Sequence, residues 1–290
     1  EEIALKWGIP NAVSTREELL QLPHVEAVLI ATRNDCHEGD GIACALHSKP
    51  TLCEKPLAPT AASALRMIEA FKKQSTLLLV GQSLRFKFAV QKAKELLLSG
   101  RLGQLLHIRA HFSIPVPRES WRCQKSTGGG ILQDIGVHLI DLIRLISGEE
   151  WASIFGIANP EYSETSAEAD LSIRAVGRLT HGATCSLEGS FMQPLSSGFE
   201  VIGTKARLLS TDSLRQTYDS LETLCLVEDD LKTFYPIRGA NIYVDELKHF
   251  ADVVRGRQSP LISAEEGLQN QKVIDGAYQS LREKREMQIG

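Results

Sequence analysis

Gly128-Gly129-Gly130-Ile131-Leu132-Gln133-Asp134-Ile135-Gly136-Val137-His138-Leu139-Ile140-Asp141 is the stretch around which the chain is organised. Three successive glycines allow a tight turn or a close approach to a bound molecule, and apolar residues then recur at helical spacing, which predicts a glycine-to-helix junction. On that helix Asp134 and His138 stand four residues apart on one face, with Asp141 one step further. Ile131, Ile135, Leu139, Leu142 and Ile146 form the opposite stripe. Little of this surface suits water. An imidazole and a carboxylate on such a helix are either hydrogen-bonded or functional, because an unpaired buried polar group costs about 1–3 kcal/mol. Taken alone, the pair is a satisfied core contact or part of a site.

At 290 residues the chain can hold two domains with sizeable cores. Its 43% hydrophobic and 23% charged residues are those of an ordinary soluble protein. A net charge of −4 and a pI near 6.1 give no global field that favours nucleic acid or an anionic membrane, so neither is expected as a partner. Six cysteines, at 36, 44, 53, 123, 185 and 225, form no C-x-x-C pair and no regular framework. Reduced thiols in a cytoplasmic compartment are the simplest account. The longest apolar runs, such as residues 76–81, are too short to span a bilayer.

Upstream, Ser14 and Thr15 with Glu17 and Glu18 make a capping box for a short helix ending near Leu22. Residues 25–31 read as a buried strand, 37–47 as a helix, 51–53 as a second strand, 61–73 as a helix capped by Thr60, and 77–80 as a third strand. Strands alternating with helices imply right-handed crossovers and a parallel sheet, which binds ligands at the carboxyl ends of its strands. Three loops therefore stand out: 32–37, 54–56 and 81–86. In the second, Lys55 follows a buried strand, where desolvation suits an ammonium to proton transfer or to holding a hydroxyl; the alternative is a solvated lysine beside a turn proline.

A dinucleotide fold opens with strand, glycine-rich turn and helix, and no such unit precedes Glu1. Gly39-Asp40-Gly41-Ile42-Ala43-Cys44 lies beyond the strand and inside a helix, so it reads as a decoy. The 25–31 strand is then expected to be an apolar open edge. From this we expect a natural product longer at its amino end, or cover by another segment or chain.

Downstream, residues 87–99 form a helix, and 106–114 alternate cleanly, with Leu106, Ile108, Ala110, Phe112 and Ile114 on the buried face. Residues 183–191 repeat the pattern, and 171–178, 199–202, 206–209, 223–227 and 231–235 are further strands. Short, closely spaced strands argue for a largely antiparallel sheet. One face packs on helices, including 131–147, while the other is polar and open, a dimerisation surface or an ordinary solvated face. Asn241 caps a helix to about 255 with Leu247, Phe250 and Val254 inward, and Ser263 with Glu266 caps a last helix over 264–285. Trp121-Arg122, in the loop before the glycines, either holds a polar ligand or packs. The fold class is α/β: a partial Rossmann-like parallel sheet in residues 1–103, then an α/β domain with a large, mainly antiparallel open sheet in residues 104–290.

Several of these stretches occur together, in this order and spacing, in one known family: Thr32-Arg33-Asn34 with His37, Cys53-Glu54-Lys55-Pro56-Leu57-Ala58, Val80-Gly81 with Arg85-Phe86, Trp121-Arg122, and Gly128-Gly129-Gly130 with Asp134, Gly136, His138 and Asp141. The chain resembles, over nearly its whole length, the Gfo/Idh/MocA oxidoreductases, which include glucose-fructose oxidoreductase and inositol 2-dehydrogenase. The resemblance implies a Rossmann domain that binds NAD or NADP, a carboxy-terminal domain whose open sheet forms dimers or tetramers, and hydride transfer between nicotinamide and a sugar, polyol or related hydroxy or keto compound. It implies Lys55, Asp134 and His138 as catalytic residues, Thr32, Asn34, His37, Glu54, Lys55 and Arg85 on the cofactor side, and Trp121, Arg122, Asp134 and His138 against substrate. Histidine titrates near neutrality and suits a general base, while Lys55 can stabilise an alkoxide. A non-catalytic, ligand-sensing member of the same fold is the alternative. A metal site of Asp134, His138 and Cys123 has too few ligands, and no metal is expected.

Overall fold

The structure, a computed structural model, describes residues 2–159, 168–215, 222–237 and 241–290. After two short helices, α1 (Glu2–Trp7) and α2 (Arg16–Gln21), the chain builds a small parallel sheet from β1 (Val28–Ile30), α3 (His37–Leu46), β2 (Thr51–Glu54), α4 (Ala61–Lys73) and β3 (Leu78–Gly81). The order is β1-β2-β3, with every described pairing parallel. Caps fall where the sequence places them: Thr15 accepts from the Glu18 amide, and Thr60 exchanges hydrogen bonds with Ser63. Gly39 to Cys44 lies inside α3, as its position after the strand implies. Leu29 on β1 is exposed, beside a groove lined by Val13, Leu19, Leu20 and Val28.

Helix α5 (Phe88–Leu98) leads into β4 (Leu105–Ser113), and α6 (Val137–Ser147) precedes β5 (Trp151–Ala158), β6 (Ser172–Leu179), β7 (Thr184–Ser190), β8 (Ser196–Gly203), β9 (Arg207–Thr211), β10 (Thr223–Glu228) and β11 (Leu231–Phe234). Helices α7 (Ile242–Val254) and α8 (Ala264–Glu283) and the short β12 (Met287–Gln288) complete the chain. Among the described residues these strands form one sheet, β11-β10-β9-β8-β4-β7-β6-β5-β12. It is mixed: β4 and β7 run parallel at its centre, and the other neighbours are antiparallel.

The buried face of β4 is as expected at Ile108, Ala110 and Phe112, but Leu106 is exposed, because the β4–β8 register shifts beside it. The opposite face stays open and carries Arg109, His111, Arg174, Val176, Glu188 and Glu200 around a hollow of about 460 Å³. On the covered side α6 has all ten residues from Val137 to Ile146 buried. A helix buried on every side belongs to a core, here with His138, Asp141 and Arg144 among its apolar residues, and each fully buried leucine or isoleucine in it contributes about 1.5–3 kcal/mol.

The predicted single helix over 131–147 is two windings. Leu132–Gly136 form a π-helical turn, and the α-helix begins at Val137. The last two helices also return to the first sheet: Phe250 and Val253 of α7 close on Leu52 and Leu79, and Ile262 and Ala264 join Leu57 and Val80. Leu247, expected inward on α7, is 44% exposed, because the helix turns its Phe250 side to the sheet. Among the described residues no helix is long and apolar enough to cross a membrane.

Candidate active site

Lys55 follows β2 at its carboxyl end, and its ammonium donates to Asp134 Oδ1 at 2.7 Å and to the Asp134 backbone carbonyl at 2.8 Å. Asp134 is carried there by the π turn, a winding that concentrates at functional sites. Gly130, at φ +127°, makes the turn possible. A β-carbon there would run into the Asp170 carboxylate and the Tyr278 hydroxyl. Asp170 in turn accepts from the Leu132 amide at 2.9 Å and from the Tyr278 hydroxyl at 2.8 Å, so it caps the start of the winding. Burial pushes Asp170 up to about 6, against those two hydrogen bonds.

Burial opposes the charge on Asp134, yet Lys55 and Arg122 together hold its carboxyl below the usual range. Arg122 reaches Asp134 Oδ2 at 3.5 Å, with its guanidinium carbon 5.9 Å from the Trp121 ring centre. His138 is enclosed, and burial with the nearby Lys55 charge drives its pKa down to about 3. It is a neutral imidazole across the physiological range. Its Nδ1 lies 3.2 Å from Gln82 Oε1. Asp134 and His138 share a face as the spacing implies, but each bonds to a residue from the first sheet and not to the other.

The remaining expected residues divide. Glu54 is half-buried at the end of β2, and burial raises its carboxyl above the usual range. Asn34 donates to the Gly128 carbonyl at 2.8 Å, where a β-carbon on Gly128 would come within 2.9 Å of Asn34 Cβ. Thr32 is exposed, with its hydroxyl on Asp40. His37 is fully buried, with Nδ1 on the Pro56 carbonyl and Nε2 on the Thr32 carbonyl, so it ties two strand-end loops together.

Arg85 forks onto both oxygens of Asp141 at 2.6 and 2.7 Å and also donates to Glu266 and the Leu261 carbonyl, and it is 4% exposed. Cys123, weighed as a metal ligand, points its thiol at the Pro117 carbonyl, and no metal-ligand cluster occurs among the described residues.

Three side chains that reading by motif does not single out complete the surroundings: Gln82, Tyr243 and Glu246. Gln82 lies in the 81–86 loop, which the strand-end rule does mark. Tyr243 and Glu246 come from α7, and only the packing of that helix brings them in. Burial, with Glu54 nearby, pushes Glu246 up to about 8, and burial with the same carboxylate takes Tyr243 to about 12.

Comparison with known proteins gives the chain its family. Residues 1–82 match the oxidoreductase family with an NAD-binding Rossmann fold, and residues 90–209 match the GFO/IDH/MocA C-terminal domain. The chain is 30% identical to myo-inositol 2-dehydrogenase of Thermotoga maritima, over 99% of this chain and 87% of that protein. It is 28% identical to 1,5-anhydro-D-fructose reductase of Ensifer adhaerens, over 91% and 80%. The aldose-aldose oxidoreductase of Caulobacter crescentus has the same fold, with a TM-score of 0.90, 23% identity and coverage of 99% and 87%. A parallel sheet that sets a lysine against an aspartate and a neutral histidine, in a chain matched by both family domains, makes this protein a member of the Gfo/Idh/MocA family of NAD(P)-dependent oxidoreductases.

Proposed function

We propose that the protein transfers hydride between the nicotinamide of NAD or NADP and a carbon bearing a secondary hydroxyl in a sugar, polyol or related compound. The observation that carries this reading is the Lys55–Asp134 contact beside the buried, neutral His138. An alcohol cannot release hydride unless its hydroxyl proton is removed, and a neutral imidazole with a free ring nitrogen, placed next to an ammonium, is built for that step. Its relatives' names, an inositol dehydrogenase and an anhydrofructose reductase, point to the same substrate class.

The chain's own groups fit the nicotinamide half of the cofactor. The carboxyl ends of β1 and β2 offer a hydroxyl on Thr32, a carboxamide on Asn34 and a carboxylate on Glu54, donors and acceptors suited to a ribose and an amide. Gln82 adds a buried amide nitrogen that has no hydrogen-bond partner. When bound, the cofactor supplies the hydride acceptor or donor. Lys55 holds the substrate oxygen and stabilises its negative charge, giving up one of its two bonds to Asp134. His138 takes the hydroxyl proton, and in the reverse direction returns it. Asp134 fixes Lys55 and Arg122, and Arg122 with Trp121 forms the outer wall against the rest of the substrate. Thr32, Asn34 and Glu54 serve the cofactor side, and His37 and Arg85 hold the scaffold. The domains we assign, 1–103 and 104–290, meet at this site. The open sheet face around Arg109 and Glu200 is the surface we assign to a dimer or tetramer.

Purified protein is expected to change nicotinamide absorbance with members of a sugar and polyol panel. His138→Ala should lower kcat by about 10²–10⁴-fold while leaving the cofactor Kd unchanged. Cofactor binding without turnover of any panel member would favour a ligand-sensing protein and overturn the reading.

A further inference from the structure

Gln82 leaves the end of β3 as the cap of a short 3₁₀ turn, Ser83–Phe86, and is 1% exposed. Its side chain reaches out of the first sheet to His138 on α6, where Oε1 lies 3.2 Å from Nδ1. Glu246, which α7 brings in and which is 4% exposed, sets its carboxyl near the Gln82 backbone. The Gln82 carbonyl accepts from the Arg85 amide at 2.9 Å. Gln82 is thus held at two points, by the 3₁₀ turn and by the ring it faces.

Which imidazole nitrogen carries the hydrogen is set by the partner of the other. A carbonyl oxygen can only accept, so a Gln82 carbonyl at Nδ1 requires the hydrogen there and leaves the lone pair on Nε2. Among the described residues Nε2 makes no hydrogen bond. The charged groups around the ring are Lys55, Asp134 and Asp141.

We propose that Gln82 is a positioning residue that fixes His138 as its Nδ1–H tautomer, so that Nε2 is the atom that takes the substrate proton. The assignment rests on the reading of His138 as the base. A carboxamide suits the task in a way that a carboxylate would not. It selects the tautomer but adds no charge to stabilise an imidazolium, so the ring stays neutral beside Lys55 until the hydroxyl proton arrives.

The test is nitrogen-15 NMR of histidine-labelled full-length protein with NAD bound, the His138 signals being identified by their loss in His138→Ala. Wild type should show Nδ1–H. Gln82→Met should move the ring to Nε2–H and lower kcat by about 10²-fold. Gln82→Glu should keep Nδ1–H and, by its charge, move the acid limb of the kcat/KM profile up by about one pH unit or more. An Nε2–H ring in wild type, or a pH profile unmoved by Gln82→Glu, would overturn the proposal. The wild-type spectrum decides even if Gln82→Met does not fold. It also needs no turnover, so absence of dehydrogenase activity would sink the functional reading and leave the tautomer assignment standing.

Discussion

Two charged clusters lie seven residues apart, one around Asp134 on the π turn and one around Asp141 on α6, and they are built to opposite specifications. Around Asp141 nearly every hydrogen-bonding position is used: Arg85 takes both carboxylate oxygens, Asn270 adds a bond at 2.9 Å, and Arg144 clasps Glu150 and Asn270. Seven residues earlier, Asp134 shares Lys55 with its own carbonyl, Arg122 stands off at 3.5 Å, His138 uses one nitrogen, and Gln82 Nε2 and one Glu246 oxygen have no partner. A saturated ionic cluster holds α6 in place, and an unsaturated one leaves valences for a ligand. The two are alike in residue type, so what distinguishes a site from a strut here is the count of unused donors and acceptors.

Substitutions on either side of that contrast should fail in different ways. Lys55→Met is expected to cost about 10²–10⁴ in kcat while the melting temperature moves little, because Arg122 still faces Asp134; steady-state kinetics and calorimetry on one sample check both. A large loss of stability with normal turnover per folded molecule would make Lys55 a strut. Asp141→Ala should do the reverse. Stranding the buried Arg85 costs about 3–5 kcal/mol, seen as a shift in denaturant midpoint, while kcat referred to folded protein is retained.

Gly130→Ala should lie between them, at about 1–3 kcal/mol for a side chain forced into positive φ, with a parallel drop in kcat as Asp134 is displaced. An unchanged denaturation midpoint would show that the winding does not depend on this glycine.

The smallest effect concerns pH. Glu246 is raised from 4.5 to about 8, so its contribution to stability is complete below about pH 4.5 and is lost as pH rises through about 8. His138 is lowered from 6.5 to about 3, so its contribution is present above about pH 6.5 and is lost as pH falls toward 3. Glu246→Gln should therefore flatten the alkaline side of a melting-temperature profile and leave the acidic side as it was. A parallel displacement of the whole curve would mean that this carboxyl does not titrate in the folded protein.

Much of this organisation is written locally. Thr60 and Ser63, Asn241 and Ser263 cap their helices through neighbours three residues away or fewer, and the alternation in β4 reports its buried face from Ile108 to Phe112. The E-K-P and glycine-led motifs likewise marked Lys55, Asp134 and His138 before any coordinates. A motif does not show the distant partner that a side chain meets. Arg85 and His37 sit among site residues in sequence, yet Asp141 and the Thr32 and Pro56 carbonyls absorb them.

By itself the sequence determined the two sheets, the helix ends and the residue types able to move a proton, because period, capping and turn chemistry act over a few residues. Only the tertiary structure decided that Leu132–Gly136 would wind as a π turn, that α7 would deliver Glu246 to Gln82, and which of two similar charged clusters keeps unused valences. Those outcomes depend on packing between segments far apart in the chain, and the hydrogen-bond count of a buried group is known only when all its neighbours are in place.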